Sequence, residues 1–165
     1  DSRAITNIFG WMMLYLATLT INLAWHGWLC MKNKRDHHKN AAWHNLVMQF
    51  VLVATSANCF LRGVELAQPM MMGIALVGFA TVGTNLWFIY RQPTSPKMRI
   101  KEHIKSLVGA GISVYTAFFA FGAVRFVPEI ALTPGLWAIP LVTGLVLIVY
   151  HQRAVMSPSR SVQPT

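Results

Sequence analysis

Residues 8–31 read IFGWMMLYLATLTINLAWHGWLCM, and residues 32–40 read KNKRDHHKN. The first stretch holds no Asp, Glu, Lys or Arg. At ~1.5 Å per residue it is long enough to cross a hydrocarbon core of ~30 Å as one helix. The second stretch carries four Lys/Arg and His37-His38. A long apolar run that ends abruptly in a basic loop is the pattern of a membrane-spanning helix and its cytoplasmic flank.

The same alternation recurs along the chain. A second apolar run covers 41–61 and is closed by Arg62-Gly63; a short connection through Glu65 leads to a third, 67–90. The loop from Arg91 to His103 contains Pro93, Pro96 and four Lys/Arg, and it breaks the pattern. A fourth run covers 104–126, Pro128-Glu129 and Pro134-Gly135 mark a short turn, and a fifth run covers 136–151 around Pro140. The Ser- and Pro-containing segment 153–165 reads as a flexible tail. The expected fold is therefore all-α: one domain over 1–152, a bundle of five transmembrane helices. The first run lacks a basic leader and a small-residue cleavage site, so it reads as a retained helix although the chain opens on Asp1 rather than Met.

Five crossings sort the loops onto two sides. One side collects Lys32, Lys34, Arg35, Lys39, Arg91, Lys97, Arg99, Lys101, Lys105, Arg153 and Arg160 against Asp36 and Glu102. The other holds Arg3, Arg62 and Arg125 against Asp1, Glu65 and Glu129, which cancel. The positive-inside rule puts the basic side in the cytoplasm, with the N-terminus outside and the C-terminus cytoplasmic. Trp28, Trp43 and Tyr90 near the inner ends, and Trp11 and Trp137 near the outer ones, fit an aromatic belt.

Composition agrees. The chain is 55% hydrophobic and 12% charged, against about a quarter charged in soluble domains. The isoelectric point of 10.2 is explained by topology and calls for no nucleic acid. The expected partners are the lipid bilayer, anionic lipid at the cytoplasmic face and other membrane subunits. Cys30 and Cys59 fall near opposite faces, which argues against a disulfide, and no CxxC spacing exists. No formal charge lies deep in any run, and the five acidic residues sit at loops or ends. Ion pumps and acid–base hydrolases lack their parts here.

Histidine is what topology does not require. All six lie on or near the basic side; His26, His44, His103 and His151 sit on four helices within one or two turns of one plane. Imidazole is a common metal and haem ligand, so these four are the candidate cofactor-binding residues, for a haem b or another tetrapyrrole. Trp25, Trp28 and Trp43 stand near enough to stack on such a ring. The alternative is that these histidines are interfacial anchors and that His37 and His38 belong to a solvated loop. Asn22, Gln49, Asn58 and Asn85 are polar within the runs and suit interhelical hydrogen bonds or a quinone-sized pocket. Met12, Met13 and Met70-Met71-Met72 read as apolar packing before copper(I) ligation. Gly73, Gly78 and Gly83, with Gly109, Gly111 and Gly122, permit close helix contacts.

From His103 onward, His103, Gly109-Ala110, Ile112 and Thr116-Ala117-Phe118 stand in order, followed by Pro128, Trp137-Ala138-Ile139-Pro140 and Gly144. This pattern resembles a segment of a family of uncharacterised bacterial predicted membrane proteins, over about fifty residues; the basic region from Arg35 to His44 is similar more loosely. The resemblance implies the same topology and a bacterial cytoplasmic membrane, and it singles out His103. Trp25-His26-Gly27-Trp28 has no counterpart in it, and no activity comes with it. The expected function is a non-catalytic subunit of a larger electron-transfer, photosynthetic or respiratory membrane complex, with a tetrapyrrole at the inner histidines. A stand-alone haem b protein exchanging electrons with quinone comes second, and a small-molecule transporter third.

Overall fold

The computed structural model describes residues 2–91, 93, 95–126 and 134–156. Asp1, the Pro128-Glu129 turn, Arg160 and the rest of the tail beyond 156 lie outside them, as do the side chains of Arg3, Arg125 and Trp137. Five helices follow in order: α1 (Ser2–Lys32), α2 (Trp43–Glu65), α3 (Pro69–Tyr90), α4 (Pro96–Phe126) and α5 (Pro134–Met156). A short 3₁₀ helix, His37–Ala41, joins α1 to α2, and there is no strand among the described residues. Four stretches are long and apolar enough to cross a membrane: Asn7–Lys32, Trp43–Glu65, Pro69–Tyr90 and Ala138–Val155.

The helix ends differ from the apolar edges in instructive ways. α4 starts at Pro96, about two turns before the apolar run, because proline is well placed in a first helical turn and Lys, Arg and Glu are good helix formers. The basic segment ahead of residue 104 is thus helix, and its side chains have fixed directions. α2 passes through Gly63 and ends at Glu65. Its stop is made by Gln68 N–H donating to Gly63 O (2.8 Å) and Ala67 N–H to Val64 O (3.2 Å), with Ala67 in the left-handed region at φ 51°. That is a Schellman stop with alanine where glycine is usual. Gly63 serves elsewhere: a Cβ there would lie 2.9 Å from Met71 Cβ, so its absence lets α2 and α3 approach.

Cross-helix pairs give the directions. Gly27 faces Ser106, Leu23 faces Gly109 and Thr20 bonds Ser113, so α1 and α4 are antiparallel. Gly63 against Met71, Ser56 against Gly78 and Gln49 bonded to Asn85 make α2 and α3 antiparallel. Tyr15 reaches Ile74 and Asn22 reaches Asn85, so α1 and α3 are parallel. Gly144 against Ile112 and Gln152 bonded to Lys101 set α5 antiparallel to α4. The helices therefore alternate in direction, and the described Lys/Arg of the basic loops gather at one end.

α1 is the centre. It packs on α4 and α2, while α3 packs mainly on α2 and α5 on α4. Its apolar window is 44% buried against 17% for that of α5. Met12, Tyr15, Leu16, Leu19 and Leu23 of α1 form the core with Leu52, Cys59, Met71, Ala75, Val82 and Ala110. The glycines divide sharply. A Cβ at Gly78 would collide with Ser56 and Tyr15, one at Gly144 with Ile112, and one at Gly109 would sit 3.1 Å from Leu23 Cδ1. Gly73, Gly83, Gly111 and Gly122 face open space, so of the six glycines that permit close contacts on α3 and α4 only Gly78 and Gly109 make one.

Candidate functional site

The antiparallel register places His26, His44, His103 and His151 at one level near the basic end. Their side chains go four ways. His26 points inward and is 1% exposed; Nε2 donates to Glu102 Oε1 at 3.2 Å, and its ring meets Phe88 edge-on at 5.8 Å. His44 is exposed between Trp25 (5.9 Å) and Trp43 (6.1 Å). His103 is half-buried, and its Nδ1 donates to Gly27 O at 2.8 Å. His151 is exposed, with Nδ1 donating to Leu147 O at 2.9 Å. No group of three or more His, Cys, Asp and Glu among the described residues is arranged to hold a metal ion.

His37 and His38, alike in sequence, differ in structure. His38 is exposed, whereas His37 is buried, with Nε2 donating to Phe88 O (2.9 Å) and Nδ1 accepting from Asn40 (3.2 Å). It pins the 3₁₀ turn to the end of α3, so it is structural rather than loop-solvated.

Glu102 is the residue that reading by charge misplaces. It counts with the basic loop in sequence, yet it is only 13% exposed. It bridges His26 and Lys105, and Lys105 in turn donates to Thr84 Oγ1 of α3 at 3.2 Å. A line of polar groups, His26–Glu102–Lys105–Thr84, crosses from α1 through α4 to α3. The signal was present: Glu102 is the one acidic residue in the basic segment 97–105 and stands three residues before Lys105, the spacing that shares a helix face.

One helical turn further in, Asn85 Nδ2 donates to Asn22 Oδ1 (3.0 Å) and to Gln49 Oε1 (3.2 Å), and Asn22 donates to Met48 O (3.0 Å). All three side chains are buried, so these amides tie α1, α2 and α3 together. Asn58 stands apart, half-buried beside Trp11 and Tyr15.

Beside the ion pair opens an apolar concavity. Since α3 and α5 do not pack on each other, a cleft of about 230 Å³ separates them, floored by α1 and α4. Its walls are Leu16, Leu19 and Leu23, Ile74 and Val77, and Leu141, Leu145 and Ile148. Thr81, Thr84, Ser113 and Thr116 form polar rungs, and Lys105 stands at the basic end.

Comparison with known proteins adds no identity. No family model, no curated protein and no solved structure matches the chain.

Four aromatic residues at the basic end face outward, while Phe88 is buried against His26 and His37. Trp28, Trp43, Trp87 and Tyr90 are 46%, 76%, 66% and 68% exposed. Lys32 lies 4.2 Å from the Trp28 ring centre and Arg91 5.5 Å from that of Trp87, an arrangement in which the cation and ring attract. At the opposite end Arg62 lies over Trp11 at 5.5 Å.

Proposed function

We propose that the chain crosses a bacterial cytoplasmic membrane five times, α4 included, with the basic end in the cytoplasm, and that it is a non-catalytic component that holds an amphiphile. The α3–α5 cleft carries this reading. Its apolar walls suit a lipid or isoprenoid tail, and the Lys105 ammonium at the basic end suits a polar head that accepts hydrogen bonds. Such a component fits an accessory place in a larger membrane assembly. The resemblance from His103 onward joins the proposal as kinship alone.

Filling the cleft tests it. Native mass spectrometry of the purified chain should find a retained amphiphile. Ala80→Trp, on the cleft wall, should reduce its occupancy about tenfold, a change of ~1.4 kcal/mol in binding. Leu76→Trp, on the exposed face of α3, should leave occupancy unchanged. Equal retention by both variants would place the bound molecule elsewhere. Topology is tested separately: a reporter joined at the C-terminus should be active only when it is a kind that works in the cytoplasm.

A tetrapyrrole at the histidine level is the second reading. The observation favouring it is His103, whose Nδ1 is anchored on Gly27 O and whose Nε2 then bears the lone pair, the usual preparation of a ligating imidazole. A Soret band in the purified protein that vanishes in His103→Ala would favour it over a colourless amphiphile carrier.

A further inference from the structure

A second concavity lies at the basic end, away from the cleft, and it is polar where the cleft is apolar. Arg35, Asp36, His37 and His38 form one side, and Pro93 and Arg99 the other, around a volume of about 230 Å³. The fold brings these residues together across two loops. α1 ends before Asp36, and the 3₁₀ helix that follows is held to α3 by the His37–Phe88 bond, with Asn40 bracing the His37 ring from within the same turn. Asn45 fastens the same turn to α2 by donating to Asn40 O at 2.7 Å. Arg99, in the first turn of α4, faces it from the opposite side.

We infer that this depression is a binding site for a phosphate group, held between the Arg35 and Arg99 guanidinium groups. Two features point to an anionic ligand. The Arg99 Nε is buried and has no hydrogen-bond partner among the described residues, a donor whose desolvation is offset only by an acceptor. The lining carries two arginines against one carboxylate, and that carboxylate, Asp36, is turned to Lys39 at 3.6 Å, which screens it from an incoming anion. His37 contributes shape alone, since both its ring nitrogens are engaged. A planar guanidinium offers two parallel donors to two phosphate oxygens, which an ammonium cannot do. The site thus differs in kind from the lysines around it, whose attraction for anions is diffuse. The inference does not depend on the amphiphile reading of the cleft.

The phosphate belongs to a lipid headgroup or to a soluble phosphate, and one titration series separates the two. Full-length protein in a neutral detergent is titrated with inorganic phosphate, with short-chain phosphatidic acid and with short-chain phosphatidylcholine, at constant ionic strength, reading binding by calorimetry. Phosphatidic acid should bind, and Arg35→Gln and Arg99→Gln should each weaken it about tenfold. Lys34→Gln, which removes the same charge from an exposed neighbour outside the depression, should change it less than twofold, and Arg99→Lys should fall between. Comparable binding of inorganic phosphate assigns the site to phosphate itself, and binding of phosphatidic acid alone assigns it to a headgroup. Equal losses in Arg99→Gln and Lys34→Gln, or no binding by either anion, overturn the inference. Unchanged melting of each variant without ligand shows that the losses are not those of misfolding.

Discussion

Gly78→Ala is expected to destabilise the bundle by about 3 kcal/mol, at the upper end for an overpacked core position. The added methyl would meet the Ser56 hydroxyl and lie 2.8 Å from Tyr15 Cε2 and 2.9 Å from the Tyr15 hydroxyl. Neither neighbour has room to yield. Ser56 and Tyr15 are both 0% exposed. The Tyr15 hydroxyl is committed to Ile74 O at 2.8 Å and that of Ser56 to Leu52 O at 2.7 Å. Relief requires α3 to withdraw from α1 and α2 together, which also stretches the Asn22–Asn85–Gln49 bonds further along. Gly83→Ala, on the same helix but facing open space, is the control and should leave stability unchanged or slightly raised, since alanine is the better helix former. Thermal unfolding in detergent compares the two. If they melt together, α3 does not sit against Tyr15 as described.

Glu102→Leu is expected to cost nearly as much, about 2–3 kcal/mol, at or just below the ~3–5 kcal/mol for breaking a fully buried ion pair. The substitution strands two donors. His26, 1% exposed, loses the acceptor of its Nε2, and Lys105, 25% exposed, keeps only Thr84. The remaining exposure of Lys105 is why the cost stays below that of a fully enclosed pair. Glu102→Gln keeps an acceptor for His26 and should cost about 1 kcal/mol. The double variant His26→Phe/Glu102→Leu separates pairing from packing: it should be less destabilised than the sum of the two single variants by about 1 kcal/mol or more. Strict additivity would mean that the two side chains do not interact, and the polar line would then lose its link to α1.

Both effects bear on residues that sequence reading treated differently. Gly78 stood among six glycines with equal standing, because a glycine in an apolar run says that a close contact is permitted and not that one is made. Glu102 was legible as charge and misread as place. It precedes the apolar run, but the helix begins at Pro96, so its carboxylate is carried on a rigid face toward His26. The histidines show the same limit. Their common level follows from counting residues along each helix, while the direction of each ring depends on how that helix is rotated. His26 turns inward, His44 and His151 turn outward, and His103 lies against α1. Asn22, Gln49 and Asn85 were recognisable as polar residues in need of partners, and the partners proved to be one another.

By itself, the amino-acid sequence determined how many helices there are, their order and the end at which the positive charge collects. Those properties are one-dimensional: run length, the residues that interrupt the runs, and the alternation of direction that short connections impose. Only the tertiary structure decided which helix is central, which glycines are contacts, and which polar groups meet. It also decided that α3 and α5 stand apart and leave a cleft beside Lys105. The physical reason is that these helices are apolar around most of their circumference. No polar face marks which side turns outward, so rotation and neighbour are settled by packing: a missing Cβ at Gly63, Gly78 and Gly144, and the buried hydrogen bonds of Asn85, His26 and Tyr15.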